Sequence, residues 1–323
     1  MSITTSSNLS PMILQSLAPS ILYTPTPSCN YRAIADSVSM PAHGGTTIRF
    51  MRPRLLQPAT VQLGNQGIDP PAQIPQRDLI DSTVSFYGTS CVLNEQVLLT
   101  NQESVLAWVS DKLAVSMRMG EDIILRDFVV SATSRIYAGG GSNSDNPSNL
   151  GVSDFSLVAA TLDSNNSFKF TEGLLGENKF GTSPIRSAYI MLSSTELQPD
   201  FDALQGQGFS SVWTYPSNVS TMPTEYGAVL NVRILTSSQA PVARGASKNG
   251  RDVYYNFVCG KQALTHISQD QYSTKLIYRD PMYSGALAQN ATLGIKFAQA
   301  QAMTQDTAAR MLVSTSAYDP QIV

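Results

Sequence analysis

Residues Met222–Pro241 read MPTEYGAVLNVRILTSSQAP, and two readings compete for them. Glu225, followed by Tyr226 and Gly227, would suit a catalytic acid on a turn. Beyond it Ala228, Leu230, Val232 and Ile234 alternate with Val229, Asn231, Arg233 and Leu235, the two-residue period of a strand with one apolar face. The stretch is either an active-site loop feeding a strand or a structural joint, and its surroundings decide between the two.

Downstream, RDVYYNFVCGKQALTHI (251–267) repeats the alternation through Val253, Tyr255, Phe257 and Cys259 and turns at Gly260. It is expected to share a sheet with the 228–235 strand, the polar ARGASKNG (243–250) forming the loop between them. Upstream, SPIRSAYIMLSSTEL (183–197) has a β-rich middle, PDFDALQG (199–206) reads as a turn into a brief helix, and DFSLVAATLDSN (154–165) as a short helix. The glycine run of GGGSNSDNPSNL (139–150) follows no apolar strand and lacks the Lys-Ser/Thr of a phosphate loop, so it is a turn or hinge.

The strongest helix signal covers 101–135. Thr100 stands three residues before Glu103, the spacing of a capping box. Leu106, Val109, Leu113, Met117, Gly120, Ile124 and Phe128 then recur at steps of three and four. At 1.5 Å per residue this predicts a strut of about 50 Å, laid across a sheet or a neighbour because no second segment supplies matching heptads.

Before it, TIRF (47–50) and TVSFYG (83–88) read as the two legs of one excursion, separated by a stretch dense in Gly, Pro and Gln (57–78) that projects as a loop. Residues 1–45 carry prolines at 11, 19, 25, 27 and 41, which resist continuous helix or central sheet. They read as an extended arm anchored by Leu9, Met12, Ile13, Leu17, Ile21, Leu22 and Tyr23. At the other end, a loop around Asp280 and Pro281 leads to a small-residue helix and a last β-like run, RMLV (310–313).

The 323 residues suffice for a sizeable core, yet only 14% are charged, with a net charge of −3. A typical domain carries about 25%, and charge depletion is what surfaces covered by other chains show. Without a cationic excess the chain is not expected to envelop nucleic acid, though it could line a container that holds it. Cys29, Cys91 and Cys259 form no CxxC pair, so neither a disulfide framework nor a thiolate metal site is expected. The N-terminus lacks a signal-peptide pattern and no apolar run is long enough to span a bilayer; a soluble, non-secreted protein away from membranes is expected.

Chemistry is sparse. Nucleophilic catalysis needs a base beside its nucleophile, and the chain has only His43, in a turn, and His266, after a strand; both read as structural or solvent-facing. Glu121 and Asp122 read as the wet side of the long helix, and Asp200 and Asp202 as local amide caps. Arg49, Arg52 and Arg54 form one basic cluster, for which Asp69, Asp78 and Asp81 suggest charge pairing between subunits. Glu225 is left as one acid without a histidine, a metal cluster or a second carboxylate, with Gly227 allowing close backbone approach. No catalytic, cofactor-binding or metal-binding residue is assigned, and no cofactor is expected.

In order, SPIRSAYIMLSSTELQPD (183–200), the Glu225–Gly227 turn before VLNVRILTSS, VYYNFVCGKQAL (253–264) and, after Asp280 and Pro281, LGIKFAQAQAM (293–303) resemble the major capsid proteins of tailed bacteriophages typified by the coliphage N4 family. The resemblance covers roughly 184–303. It implies an α+β chain with the HK97-like tailed-bacteriophage capsid fold: an N-terminal arm (1–45), an extended loop with its flanking strands (46–95), a peripheral domain with a long spine helix (96–185), a mainly axial domain (186–275) and a return to the peripheral domain (276–323). It also implies a non-enzymatic virion capsid protein, assembled in the host bacterial cytoplasm into hexamers and pentamers of an icosahedral shell around double-stranded DNA touched non-specifically at the inner surface. Its partners would be many copies of itself, with scaffolding, portal and cement proteins as further candidates. The alternatives are a tail-tube or sheath protein and, more remotely, a carbohydrate-active enzyme using Glu225.

Overall fold

The computed structural model describes residues 26–41, 43–60, 72–100, 105–140, 147–170, 187–215, 222–269, 275–281, 287 and 289–318. The arm residues before 26, Glu103 of the expected capping box, Asp69, and Ser183–Arg186 of the β-rich segment lie outside them. In chain order come helix α1 (Asn30–Ile34) and strands β1 (Asp36–Met40), β2 (Thr47–Pro53), β3 (Arg77–Thr83) and β4 (Ser85–Asn94). Helices α2 (Glu95–Thr100) and α3 (Val105–Ala132), strand β5 (Arg135–Tyr137) and helix α4 (Val152–Ser164) follow. Next are β6 (Tyr189–Ser194), α5 (Gln198–Ala203), β7 (Phe209–Ser211), β8 (Glu225–Val229), β9 (Val232–Ser237) and β10 (Val242–Ala243). The chain closes with β11 (Val253–Cys259), β12 (Leu264–Gln269), β13 (Lys275–Arg279), β14 (Asn290–Met303) and β15 (Ala309–Thr315).

Among the described residues β5, β15, β11, β6, β9, β8 and β7 lie side by side in that order, with β10 also on β11, making an eight-stranded sheet. The expected strands at 228–235 and 251–259 do share it, with β6 between them. Every residue of β6 and β9 is buried, as a strand covered on both faces requires. On one face Tyr189, Met191, Val232, Ile234, Tyr254 and Val258 pack with Phe155, Val158 and Leu162 of α4 and Phe201 of α5. On the other, Ile190, Leu192, Leu235, Phe257 and Met311 meet Leu125 and Val129 of α3 and Tyr31 of α1. A polar rung crosses the first face: Ser193 Oγ donates to Asn256 Oδ1 at 2.7 Å and Asn256 Nδ2 to Ser314 Oγ at 3.1 Å, so the buried amide is satisfied on both sides.

The opening stretch is a hairpin rather than a single strand. β8 and β9 pair antiparallel around Leu230 and Asn231, and Leu230 takes φ 52°, a left-handed conformation that glycine normally supplies. With leucine at that corner no turn signal interrupts the alternation. The tip is fixed where the Tyr189 amide donates to the Asn231 carbonyl at 2.8 Å.

The second sheet runs β1, β12, β14, β13, with β4 also along β14. β14 corrects the expected small-residue helix. Ala, Gln and Lys favour helix in isolation, but Leu293, Ile295 and Phe297 alternate with residues of the other face, and partner strands line the whole length. Tertiary pairing overrides a weak propensity. Val109, Leu113 and Met117 of α3 cover Leu293, Ile295 and Phe297; on the opposite face Ala298, Ala300 and Ala302 receive Ile48, Phe50 and Ile80 of the β2–β3 hairpin. The small side chains let the hairpin come close.

Three further expectations shift. The excursion's second leg is RDLIDST, not TVSFYG: β2 pairs with β3 from Thr47↔Thr83 to Pro53↔Arg77, whereas most of TVSFYG belongs to β4, paired with β14. The two aspartates hid that leg's alternation. The long helix spans 28 described residues, about 42 Å, and its second-half contacts centre on Leu125 and Val129 rather than Ile124 and Phe128, because there it changes sheets. Glu121 and Asp122 are buried, not wet, because α1 packs on that turn.

No described helix is long and apolar enough to cross a membrane. Replacing Leu125, which has no exposed surface, by alanine should cost about 3 kcal/mol. The same change at Leu106, 37% exposed on the same helix, should cost under about 1 kcal/mol; urea unfolding of both variants checks the contrast.

Candidate functional site

The β8–β9 hairpin brings Glu225 and Arg233 together inside the protein. The Glu225 side chain has no exposed surface and that of Arg233 only 7%. Arg233 donates from Nε to Oε1 at 2.9 Å and from Nη2 to Oε2 at 2.7 Å, the two-pronged geometry of a strong guanidinium–carboxylate pair. Oε2 also accepts the Met222 amide at 2.9 Å, and Oε1 the Tyr215 hydroxyl at 3.2 Å. Burial, reinforced by the Glu225 charge, raises the Tyr215 pKa. Both oxygens are thus committed to a guanidinium, an amide and a phenol, which is the chemistry of a fastened turn. Gly227 completes the joint: a Cβ there would lie 2.6 Å from both the Phe209 ring and the Ser210 carbonyl.

The other candidate residues are scattered. Asp200 does not cap local amides; it accepts Ser316 Oγ at 2.5 Å and the Ala317 amide at 3.0 Å, fastening the chain that leaves β15. Asp202 accepts the Tyr226 hydroxyl at 2.7 Å. In both cases the fold brings a distant donor closer than the neighbouring backbone. His43 is exposed at φ 64°. His266 is buried, with Nε2 3.2 Å from Gln299 Oε1, and burial followed by the Arg32 charge holds its pKa below the usual histidine value. The Cys259 thiol is pushed up by burial. Among the described residues no three His, Cys, Asp or Glu side chains group as metal ligands.

What the molecule does present is the β2–β3 hairpin. Its register sets Arg49 opposite Asp81 and Arg52 opposite Asp78. Arg49 grips Asp81 through two bonds of 2.6 and 2.7 Å, and Arg54 Nε donates to Asp78 at 2.8 Å. The charge pairing expected between subunits is therefore made within the chain, because cross-strand neighbours lie closer than any second copy needs to come. Arginine hydrogen bonds hold the carboxyls of Asp78 and Asp81 below the usual range. Arg52 reaches Asp306 at 2.9 Å and Ser82 Oγ donates to the Gln301 carbonyl at 2.7 Å, which roots the hairpin on β14 and the turn before β15. Farther out Gln57 and Gln73 exchange two side-chain-to-backbone bonds of 2.8 and 3.1 Å. Around them Leu55 is 98% exposed and Ile74 82%, with Met51, Leu56 and Leu79 also more than half exposed. These exposed apolar side chains lie on both legs of the excursion.

The sequence reading missed Arg233 as the partner of Glu225 and Asp306 as the partner of Arg52. The first had a signal: an arginine inside the apolar run VRIL must find a buried acid. The second had none, since Arg52 and Asp306 are distant in sequence and meet only through the stacking of hairpin on sheet.

No protein-family model matches the chain, and no curated protein sequence matches it. Solved structures do. The capsid of Ralstonia phage GP4 superposes with a TM-score of 0.69 at 12% identity over 99% of this chain and 100% of that one. The capsid of the cyanophage P-SCSP1u gives 0.65 at 11% identity over 95% and 94%, and the head of Helicobacter pylori bacteriophage KHP40 gives 0.61 at 13% over 98% of both. The chain has the α+β, HK97-like fold of tailed-bacteriophage capsids.

Glu225→Gln should destabilise the folded chain by about 3 kcal/mol, since it removes the carboxylate charge that faces the buried Arg233 guanidinium. Adding Arg233→Met should recover most of that loss. Urea midpoints of the single and double variants measure both.

Proposed function

We propose that this chain is the major capsid protein of a tailed bacteriophage, self-assembling into hexameric and pentameric capsomers of an icosahedral head that encloses double-stranded DNA. The carrying observation is the β2–β3 hairpin, charge-locked at its root with Leu55 98% and Ile74 82% exposed beyond it. Apolar surface displayed on a projecting element is stabilised when another chain covers it. The end-to-end likeness to phage capsids supports the reading. The role is structural rather than enzymatic, as the committed oxygens of Glu225 favour.

Within this reading the eight-stranded sheet with α4 and α5 is the axial domain, and the five-stranded sheet with α3 as spine is the peripheral domain. The sequence reading took 96–185 as peripheral, 186–275 as mainly axial and 276–323 as a return to the peripheral domain; the proposed grouping by sheet sets α4 and β15 with the axial and β12 and β14 with the peripheral domain. Of the arm proposed for 1–45, the described part from residue 26 holds α1 and β1 against the body of the chain; 46–95 is taken as the extended loop with its flanking strands, β4 returning into the five-stranded sheet. The strings over 184–303 favour the N4-type group. The partners are copies of the same chain, with scaffolding, portal and cement proteins and DNA at the inner surface; the protein belongs to the virion capsid and assembles in the host bacterial cytoplasm.

Electron microscopy and mass photometry of the purified full chain, alone and with co-expressed virion proteins, test this. Capsomers and closed shells are expected; tubes or rings would favour a tail-tube or sheath role, and a monomer under every condition would overturn it. Leu55→Ser combined with Ile74→Ser should leave monomer stability within about 0.5 kcal/mol and raise the concentration needed for assembly about tenfold or more.

A further inference from the structure

The segment Ser28–Met40 straps the two sheets together. At one end the Ser28 carbonyl accepts Ser237 Oγ at 3.1 Å, Asn30 Nδ2 donates to the Thr236 carbonyl at 3.2 Å, and Asn30 Oδ1 accepts Thr224 Oγ1 at 3.2 Å, all at the β8–β9 hairpin of the eight-stranded sheet. At the other end β1 pairs in parallel with β12, from Asp36↔Thr265 to Met40↔Gln269, at the edge of the five-stranded sheet. Between these attachments α1 rests on α3, and its opening amides need an acceptor. Cys29, at the N-cap position, supplies none. Asp122 of α3 does: it has no exposed surface, its Oδ1 accepts the Arg32 amide at 3.0 Å, and the amides of Tyr31 and Asn30 lie near enough to favour its charge. An acid from another helix thus performs the capping that an N-cap side chain normally performs.

The cap is incomplete. Asp122 Oδ2 has no hydrogen-bond partner, and neither does the hydroxyl of Tyr31, which is equally buried. The charged neighbours are committed elsewhere: Arg32 pairs with Glu121, and Arg126 with Asp127 and the Gln239 carbonyl. The charges of Asp122 and Arg118 on α3 and of Arg32 all act on Cys29, and the Arg32 charge acts on His266 of β12. A buried ionised carboxylate with one oxygen unmatched is costly.

We propose that Asp122 is a proton-sensitive latch, holding α1, and through it the junction of the two sheets, more tightly when its carboxyl group is protonated than when it is ionised. Burial outweighs the nearby α1 amides, Arg32 first, and Arg126, and raises the Asp122 pKa. The folded chain therefore holds this proton more firmly than the unfolded chain. The stabilisation is complete below the unfolded carboxyl pKa and is lost as pH rises through the raised folded value. Acidification tightens the strap. Asp78, Asp81, Asp163, Glu196, Asp252 and Asp306 shift the opposite way, so the overall pH profile hides the latch, and only a difference between matched proteins isolates it. Asp36 on the strap also has a raised pKa, through burial, but it is common to both proteins and cancels.

Asp122→Asn keeps an acceptor for the amides, asparagine being as good a cap as aspartate, and removes the titration. Urea unfolding of the unassembled full chain and of this variant between about pH 4.5 and 8 reads the effect. The variant's folded-to-unfolded ratio relative to wild type should be about fivefold or more above one at pH 8 and fall towards one at pH 4.5. A relative ratio that does not change with pH would overturn the latch. Should the variant fail to fold, amide hydrogen exchange on the wild-type chain decides. Protection of Asn30, Tyr31 and Arg32, corrected for intrinsic rate and referred to the β11 amides, should rise several-fold from pH 8 to pH 5, and unchanged or falling protection would overturn it.

Discussion

The two sheets of this molecule are joined by one stiff element whose buried stripe changes partner half-way along. The first half of α3 sets Val109, Leu113 and Met117 on β14, and the second half sets Leu125 and Val129 under the eight-stranded sheet. A helix curves only gently unless a specific residue kinks it, so the separation and tilt of the two cores follow from where its apolar residues fall. At the changeover the packing turns polar, and Glu121, Asp122, Arg32 and His266 gather there. The strap through α1 and β1 is the second tie across this junction. It places the least satisfied buried carboxylate where the two halves meet.

Charge in this protein is used inward. Glu225 with Arg233, Arg49 with Asp81, Arg54 with Asp78, and Arg244 with Glu196 and Asp252 are all closed within the chain. In a chain with only 14% charged residues, these arginines serve to hold hairpins and turns in shape. Among the described residues beyond Arg54, the outer part of the excursion (55–60 and 72–76) carries no charged side chain. A projecting element that is stiffened by ion pairs at its root and apolar beyond them suits a contact made with another surface, because its own ordering cost is met before docking.

Much of the architecture was legible. Period-two alternation found β9 and β11 and their common sheet, and the β-rich stretch at 189–194 and the short helices α4 and α5 followed from composition and turn chemistry. The errors share one cause. Leu230 at φ 52° carries no turn signature, the helix-favouring composition of β14 is overruled by partners along its length, and Asp78 and Asp81 disguise β3 because the residues that neutralise them lie on another strand. Each depends on a partner distant in sequence. The same holds at the Glu225 joint: the isolation of the acid could be read in the chain, while the guanidinium that fastens it could not be assigned until the hairpin was seen.

By itself the sequence determined the elements whose signal is local, the long amphipathic helix and the alternating strands, along with an order of segments resembling phage capsid proteins. Only the tertiary structure decided which residues face one another: that Glu225 closes on Arg233, that the arginines of the excursion are neutralised within the chain, and that Asp122 caps a helix 90 residues away. Propensity and periodicity act over a few neighbouring residues, whereas a buried charge is stable only beside a partner that chain topology delivers.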